Sequence, residues 1–364
     1  MRVAVLGAGA GGASAAVELT RAGHEVRLWN RSPVTIEGFV ASRGIHHTGV
    51  LGDGFTPIDV ITTDLKLAAD AADVLLVCLP TLGHAALAQR LVDANIGRVP
   101  TILNPGHTGG ALEFNQVFRR HGVEAPPIAE FSTLTYVARM ERAGFVVTTG
   151  RAKSVRVAAM PGGGRALDSA LVLYDCARPV ANVLVTSLSN VNMILHPPGS
   201  VLGAAWVEAT GGNFTFYVEG LTEGVARVMA SLDAERQAVG GGLGLQLPSL
   251  FEEMKAIGTI ECDVDSGVGL AAAIRSGSAN RLINAPAGFA HRYFQEDLWY
   301  GLGPFLVFAA IAGVEAPCAR ALMQLGELAA GPSAPAARRT AVEMGIAGLD
   351  RDALLKFVSS RREI

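Results

Sequence analysis

The stretch Gly7-Ala8-Gly9-Ala10-Gly11-Gly12 constrains the fold of this chain more than any other. It follows directly on a short β-like run, Arg2 to Leu6, and opens an alanine-rich helical stretch, Ala13 to Ala22. After a Gly23-His24 turn, Glu25 to Trp29 reads as a second strand. Strand, glycine loop, helix and strand in that order have the length of a βαβ crossover, which joins two parallel strands. In such a unit the first glycine makes the tight turn, the second lets backbone approach a pyrophosphate, and the third lets helix and strand pack closely. Gly7, Gly9 and Gly12 take those places, with Ala10 at the helix start, where free N–H groups and the helix dipole favour phosphate. These four residues are expected to hold a dinucleotide.

The end of the second strand bears on which dinucleotide. An NAD site usually carries Asp or Glu there to bond the ribose 2'-hydroxyl. This chain has Asn30, Arg31 and Ser32. Without the carboxylate nothing repels a 2'-phosphate, and a guanidinium beside a hydroxyl suits one. The expectation is a preference for NADP(H), with NAD(H) also accepted if Arg31 is only a solvated charge.

Further along, Pro57 to Thr62 reads as a β run, Leu65 to Ala72 as a short helix, and Val74 to Leu79 as a buried strand ending at Pro80. His84 to Asp93 is helical, and Val99 to Leu103 is a buried strand running into Asn104-Pro105-Gly106. Ligands of a doubly wound sheet lie beyond the carboxyl ends of its strands. Pro80 and Asn104 are therefore expected beside the nicotinamide. Four more runs, Pro127 to Ser132, Thr135 to Met140, Phe145 to Thr149 and Ser154 to Ala159, read as strands that complete the sheet. Met160-Pro161-Gly162-Gly163-Gly164 then turns into a helix from Ala166 to Cys176.

A chain of 364 residues is too long for one small core, so two domains are expected, 1–180 and 181–364. Half the residues are hydrophobic and 17% charged, which suits a well-buried globular protein. The formal net charge of -3 gives no electrostatic case for nucleic acid or an anionic membrane as partner, and a small molecule is the default. Cys78, Cys176, Cys262 and Cys318 are far apart and none sits in a Cys-x-x-Cys. Neither a metal site nor a disulfide framework is signalled, and the thiols suit a reducing compartment. No apolar run is long enough to span a membrane, so a cytoplasmic protein is expected. The sequence leaves monomer and homodimer open.

After about residue 180 the β-branched runs give way to helix-compatible segments: Val183 to Leu195, Leu221 to Val239 stopped by Gly240-Gly241-Gly242, Leu302 to Ala312, Glu315 to Leu328 and Arg351 to Ser359. Polar punctuation is sparse here. Asn192 and His196 lie four apart, on one face of the first helix, and Pro197-Pro198-Gly199 is expected to end that helix beneath the imidazole. A plain alternative is a satisfied polar pair with a proline stop. A second polar block, His291-Arg292-Tyr293-Phe294-Gln295-Glu296-Asp297, precedes the apolar helix. Arg292 would hold a carboxylate, and Asp297 would orient an imidazole and raise its pKa.

These motifs together resemble the octopine/nopaline (opine) dehydrogenase family over nearly the whole chain. The resemblance rests on the glycine loop, on Leu103-Asn104-Pro105-Gly106 with Gly109-Gly110, and on Ser189-Asn190-Val191-Asn192-x-x-x-His196-Pro197. It rests also on Asn213 to Gly220 and on Arg292-Tyr293-Phe294-x-Glu296-Asp297. It implies an α/β N-terminal Rossmann domain, doubly wound with a mostly parallel sheet. It further implies an all-α C-terminal domain of the 6-phosphogluconate dehydrogenase C-terminal-like type. The implied activity is reductive condensation: an amino acid and a 2-oxo acid form an imine, which NAD(P)H reduces to an N-(1-carboxyalkyl) amino acid. By the same resemblance His196 is the acid/base, Asp297 its partner and Arg292 a substrate carboxylate ligand. Asn192, on the same helix face as His196, is expected to bind substrate. Two other classes remain. Ketopantoate reductase-like and glycerol-3-phosphate dehydrogenase-like enzymes would be expected to place a lysine as proton donor, yet the second half holds only Lys255 and Lys356, neither in a comparable block. A non-catalytic NADP(H) sensor would bind cofactor and be indifferent to substitution of His196.

Overall fold

A computed structural model of the chain describes residues 1–263, 267–278 and 280–359. They fall into two compact units, one formed by 1–106 with 110–183, the other by 107–109 with 184–358.

The first unit contains twelve strands: β1 Arg2–Leu6, β2 Glu25–Trp29, β3 Gly44–Gly49, β4 Gly54–Pro57, β5 Val60–Thr62, β6 Val74–Val77, β7 Thr101–Leu103, β8 Ile128–Phe131, β9 Tyr136–Arg142, β10 Phe145–Arg151, β11 Val155–Ala159 and β12 Ala177–Pro179. Eight of them form one sheet in the order β12-β11-β8-β7-β6-β1-β2-β5. From β5 to β8 every pairing is parallel, and only β11 against β8 is antiparallel. The six parallel strands have the dinucleotide-fold order, with the chain reversing direction across the sheet between β1 and β6. Val3 to Leu6 and Val74 to Val77 are fully buried, as expected of central strands covered on both faces.

The remaining four strands correct the sequence reading. Instead of completing the main sheet, β9 and β10 form a hairpin in a separate sheet, β4-β3-β10-β9. The hairpin turns at Gly144, whose φ of +80° suits glycine, and β10 pairs parallel with β3. Ser14, on the Ala10–Arg21 helix, shares a 2.8 Å hydrogen bond with Thr148 of β10, so this sheet is anchored to the helix that leaves the glycine loop. The β run expected over Pro57 to Thr62 divides between the two sheets as β4 and β5. Helices Pro33–Ser42 and Gly110–Arg120 are further elements not anticipated from sequence.

The second unit is helical. Its helices are Val183–Leu188, Asn192–Leu202, Ala204–Thr210, Glu223–Gly242, Leu250–Ile257, Leu270–Ser276, Arg292–Gln295, Gly303–Ala312, Pro317–Ala330 and Arg351–Val358. A π-helical stretch, Asp297–Leu302, precedes Gly303–Ala312. Two expectations fail. The helix expected over Val183 to Leu195 is broken after Leu188, and the second piece continues through Pro197 and Pro198 to Leu202. Proline's fixed φ is compatible with a helix, and what it removes is an N–H and room around a carbonyl one turn back. Here Met193 to Val201 are all buried, so tertiary packing supplies what the ladder loses. The Glu223–Gly242 helix, by contrast, ends within Gly240-Gly241-Gly242 as expected, and a Cβ on Gly240 would lie 2.6 Å from Leu247 Cδ1. The glycines there also admit close packing.

Candidate active site

The glycine loop lies at the carboxyl end of β1. Gly7 has φ +116°, and a Cβ there would sit 2.6 Å from the Cys78 carbonyl oxygen. A Cβ on Gly12 would come within 1.7 Å of the Gly7 carbonyl oxygen. Neither position accepts a side chain. Gly9 differs: it is exposed, and its Cβ would meet nothing within 4 Å. The open ground above Gly9, with half-buried Ala10 starting a twelve-residue helix that has no side-chain cap, leaves the first-turn N–H groups to an anion. A pyrophosphate fits this cradle.

Asn30 ties the loop to β2: Oδ1 accepts from the Ala8 N–H at 3.1 Å and Nδ2 donates to the Ser32 carbonyl at 3.2 Å. Arg31 is exposed and has no ion-pair partner among the described residues, and the Ser32 hydroxyl makes no cap bond to the helix it precedes. Pro80 is exposed at the end of β6. Asn104 differs from its expected place at a ligand surface, being fully buried with Nδ2 on Thr135 Oγ1 at 2.9 Å and Oδ1 on the Thr135 N–H at 3.2 Å. Its side chain holds two loops together.

In the helical unit, His196 is 1% exposed and Asp297 likewise. His196 Nδ1 lies 2.7 Å from Asp297 Oδ2, and Nε2 lies 2.7 Å from the Tyr217 hydroxyl. The Tyr293 ring stacks on the imidazole at 3.7 Å and 18°, with Phe216 edge-on at 5.9 Å. The Asn192–Leu202 helix presents His196 from its middle, because the prolines do not end it. The π-helical stretch supplies Asp297 at its first position. Asn192 is not part of this cluster through the imidazole, since both ring nitrogens are bonded elsewhere and its own N–H donates to Asn190 Oδ1 at 3.2 Å. Asn190, part of the Ser189-Asn190-Val191-Asn192 block but given no role there, is the buried hub: its Nδ2 reaches His107 Nδ1 at 3.0 Å and Thr108 Oγ1 at 3.1 Å.

Arg292 is exposed at the edge of this cluster, its guanidinium 5.8 Å from the Tyr293 ring centre and without an ion-pair partner among the described residues. Its charge is felt at His196. Burial, assisted by Arg292, holds the imidazole well below its usual range, opposite to the expected rise. Burial also pushes the Asp297 carboxyl up to about 8, against the pull of Arg292. An ion pair shut away from water costs more than its mutual attraction returns. Both shifts therefore favour a pair without net charge that shares one titrating proton. Burial raises the Tyr217 hydroxyl well above its ordinary value, so it stays protonated. Asp297 Oδ1 is buried with no hydrogen-bond partner.

Two families match the chain in sequence. Residues 3–104 match ketopantoate reductase PanE/ApbA, and residues 179–330 match the NAD/NADP octopine/nopaline dehydrogenase alpha-helical domain. Over 348 residues, covering 95% of this chain and 95% of the relative, the sequence is 32% identical to the opine dehydrogenase of Arthrobacter sp. (strain 1C). The chain belongs to the opine dehydrogenase family. It is an NAD(P)-dependent oxidoreductase acting on CH–NH donors, and the ketopantoate reductase family model matches the nucleotide-binding part. Among solved structures, octopine dehydrogenase in complex with NADH and agmatine superposes with a TM-score of 0.75 at 20% identity, covering 98% of each chain. Yersinopine dehydrogenase with bound NADP+ superposes at 0.71 and 14% identity, covering 95% of this opine dehydrogenase family member and 97% of that chain. Both share its fold. Among the described residues no helix is long and apolar enough to cross a membrane, and no cluster of His, Cys, Asp and Glu suits a metal ion.

Proposed function

We propose that this opine dehydrogenase condenses the amino group of an amino acid with a 2-oxo acid, such as pyruvate, with a preference for NADP(H) over NAD(H). The observation that carries the reading is the buried Asp297-His196 pair with an unpaired guanidinium, Arg292, at its edge. Both substrates carry a carboxylate, and a planar guanidinium binds one through two parallel hydrogen bonds. Condensation needs a base to take a proton from the ammonium and an acid to return one to the hydroxyl that leaves as water. A single shared proton on His196 and Asp297 can be lent in both directions. The nicotinamide, when bound, supplies the hydride that reduces the imine carbon. Gly7, Gly9, Ala10 and Gly12 would hold the pyrophosphate, with Arg31 and Ser32 at the 2'-phosphate. Asn30 supports this site by bracing the loop and leaves the place of an acidic residue uncharged.

His196→Ala should leave NADPH affinity near wild type and lower turnover by about 10²- to 10⁴-fold, the usual range for losing a general acid/base. Turnover equal to wild type would show that the cluster plays no chemical part in the reaction.

A further inference from the structure

The buried imidazole has no open nitrogen. Nδ1 is held by Asp297 and Nε2 by the Tyr217 hydroxyl, each at 2.7 Å, while Tyr293 covers one ring face at 3.7 Å. A group that exchanges protons with a substrate must reach it within hydrogen-bond distance or through one intervening hydroxyl. Resting on the proposed reaction, we infer that Tyr217 is the residue that hands the proton to the substrate, with His196 and Asp297 behind it as the relay.

The step balances. The Tyr217 O–H bond breaks as its proton passes to the carbinolamine hydroxyl, which departs as water with the electron pair of its C–O bond. The amine nitrogen's lone pair completes the C=N bond. Tyr217 oxygen takes the proton of His196 Nε2, and His196 Nδ1 takes that of the Asp297 carboxyl. Asp297 ends as a carboxylate, and every intermediate group is neutral before and after. The reverse passage accepts the proton of the substrate ammonium.

Several features of the helical unit suit a relay. Tyr217 is 5% exposed and its ring is fixed edge-on against Phe216 at 5.1 Å and the imidazole at 6.2 Å, so its hydroxyl is held on Nε2 by packing. Burial keeps it from ionising, so its proton stays in place until a neighbour accepts it. The titratable and charged groups around the chain of bonds are Tyr293, Arg292, His291, Glu296 and Asp297. His291 is held at about 4 by burial and by Arg292, so it stays neutral and does not compete for the proton near neutral pH.

The test is Tyr217→Phe, which keeps the ring and removes the oxygen, with His196→Ala alongside. The relay predicts that Tyr217→Phe lowers the single-turnover rate of NADPH oxidation by about 10²-fold, with the fold retained and NADPH affinity unchanged. It also predicts that the wild-type rate bends downward in mixed H2O and D2O, because several protons move together. A loss under tenfold, or a rate linear in deuterium fraction for the wild type, overturns the relay. If His196→Ala is inactive while Tyr217→Phe turns over normally, the imidazole acts directly and only this inference fails. If His196→Ala also turns over normally, the reaction reading fails with it.

Discussion

Asn30 and Arg31 are neighbours with different tasks. The first is bonded on both ends of its amide to its own chain, and the second stands exposed with its guanidinium uncommitted. A charged hydrogen bond is worth about 1.5–3 kcal/mol. Arg31→Ala is therefore expected to weaken NADPH about tenfold or more in a fluorescence titration and to leave NADH nearly unchanged. Equal losses for the two would show that Arg31 does not read the 2'-phosphate. At this scale much of the candidate site was legible, because a His, an Arg and an Asp in a largely apolar half of the chain have few purely structural reasons to be there. Tyr217 and Tyr293 were not. A tyrosine fills a core as readily as it serves a site, and sequence carries no distances to separate the two. The direction of the histidine's shift is hidden in the sequence for a related reason. A carboxylate partner suggests an imidazolium, but only the fold shows that the pair is shut off from water, where charge separation is disfavoured.

The elements explain how these residues are held. A Cβ on Gly199 would lie 2.6 Å from Phe216 Cζ, and Phe216 is itself buried against Tyr217 and the imidazole. This glycine lets the proline-bearing helix approach the segment that carries Tyr217. Gly199→Ala is expected to cost about 1–3 kcal/mol of stability by overpacking. It should also lower turnover more than NADPH binding, since Phe216 cannot yield without moving Tyr217. Unchanged turnover and thermal midpoint would contradict that packing. Helix His84–Asp93 and strands β1 and β2 were readable to the residue because each carries its own period and its own stop. The second sheet was hidden for another reason: alternation marks a strand and is silent about which sheet it joins. The Pro33–Ser42 helix has a visible start, with serine before proline, but no apolar period of its own to mark how far it runs.

For the whole molecule, the buried carboxyl has a thermodynamic consequence. Asp297 releases its proton near 3.8 when unfolded and near 8 when folded, so between those values unfolding releases a proton and rising pH destabilises the fold. His196, whose folded pKa is depressed, contributes the opposite slope, but only below its unfolded value near 6.5. From about pH 6.5 to about 8 the Asp297 contribution is therefore left alone, and the wild-type thermal midpoint should fall more steeply there than that of Asp297→Asn. Parallel curves would mean the carboxyl is already ionised in the native state. The chain thus divides its labour between a nucleotide-binding unit whose order was written in its glycines and a helical unit whose chemistry depends on burial. What joins the two in function is the product. The most direct measurement is NADPH oxidation with a matrix of amino acids against pyruvate, 2-oxoglutarate and oxaloacetate, followed by the mass of what is formed. The proposed function predicts, for some pair, oxidation that requires both substrates. Its product should have a mass equal to their sum minus one water plus two hydrogens. Oxidation supported by the 2-oxo acid alone, with a hydroxy acid as product, would contradict it.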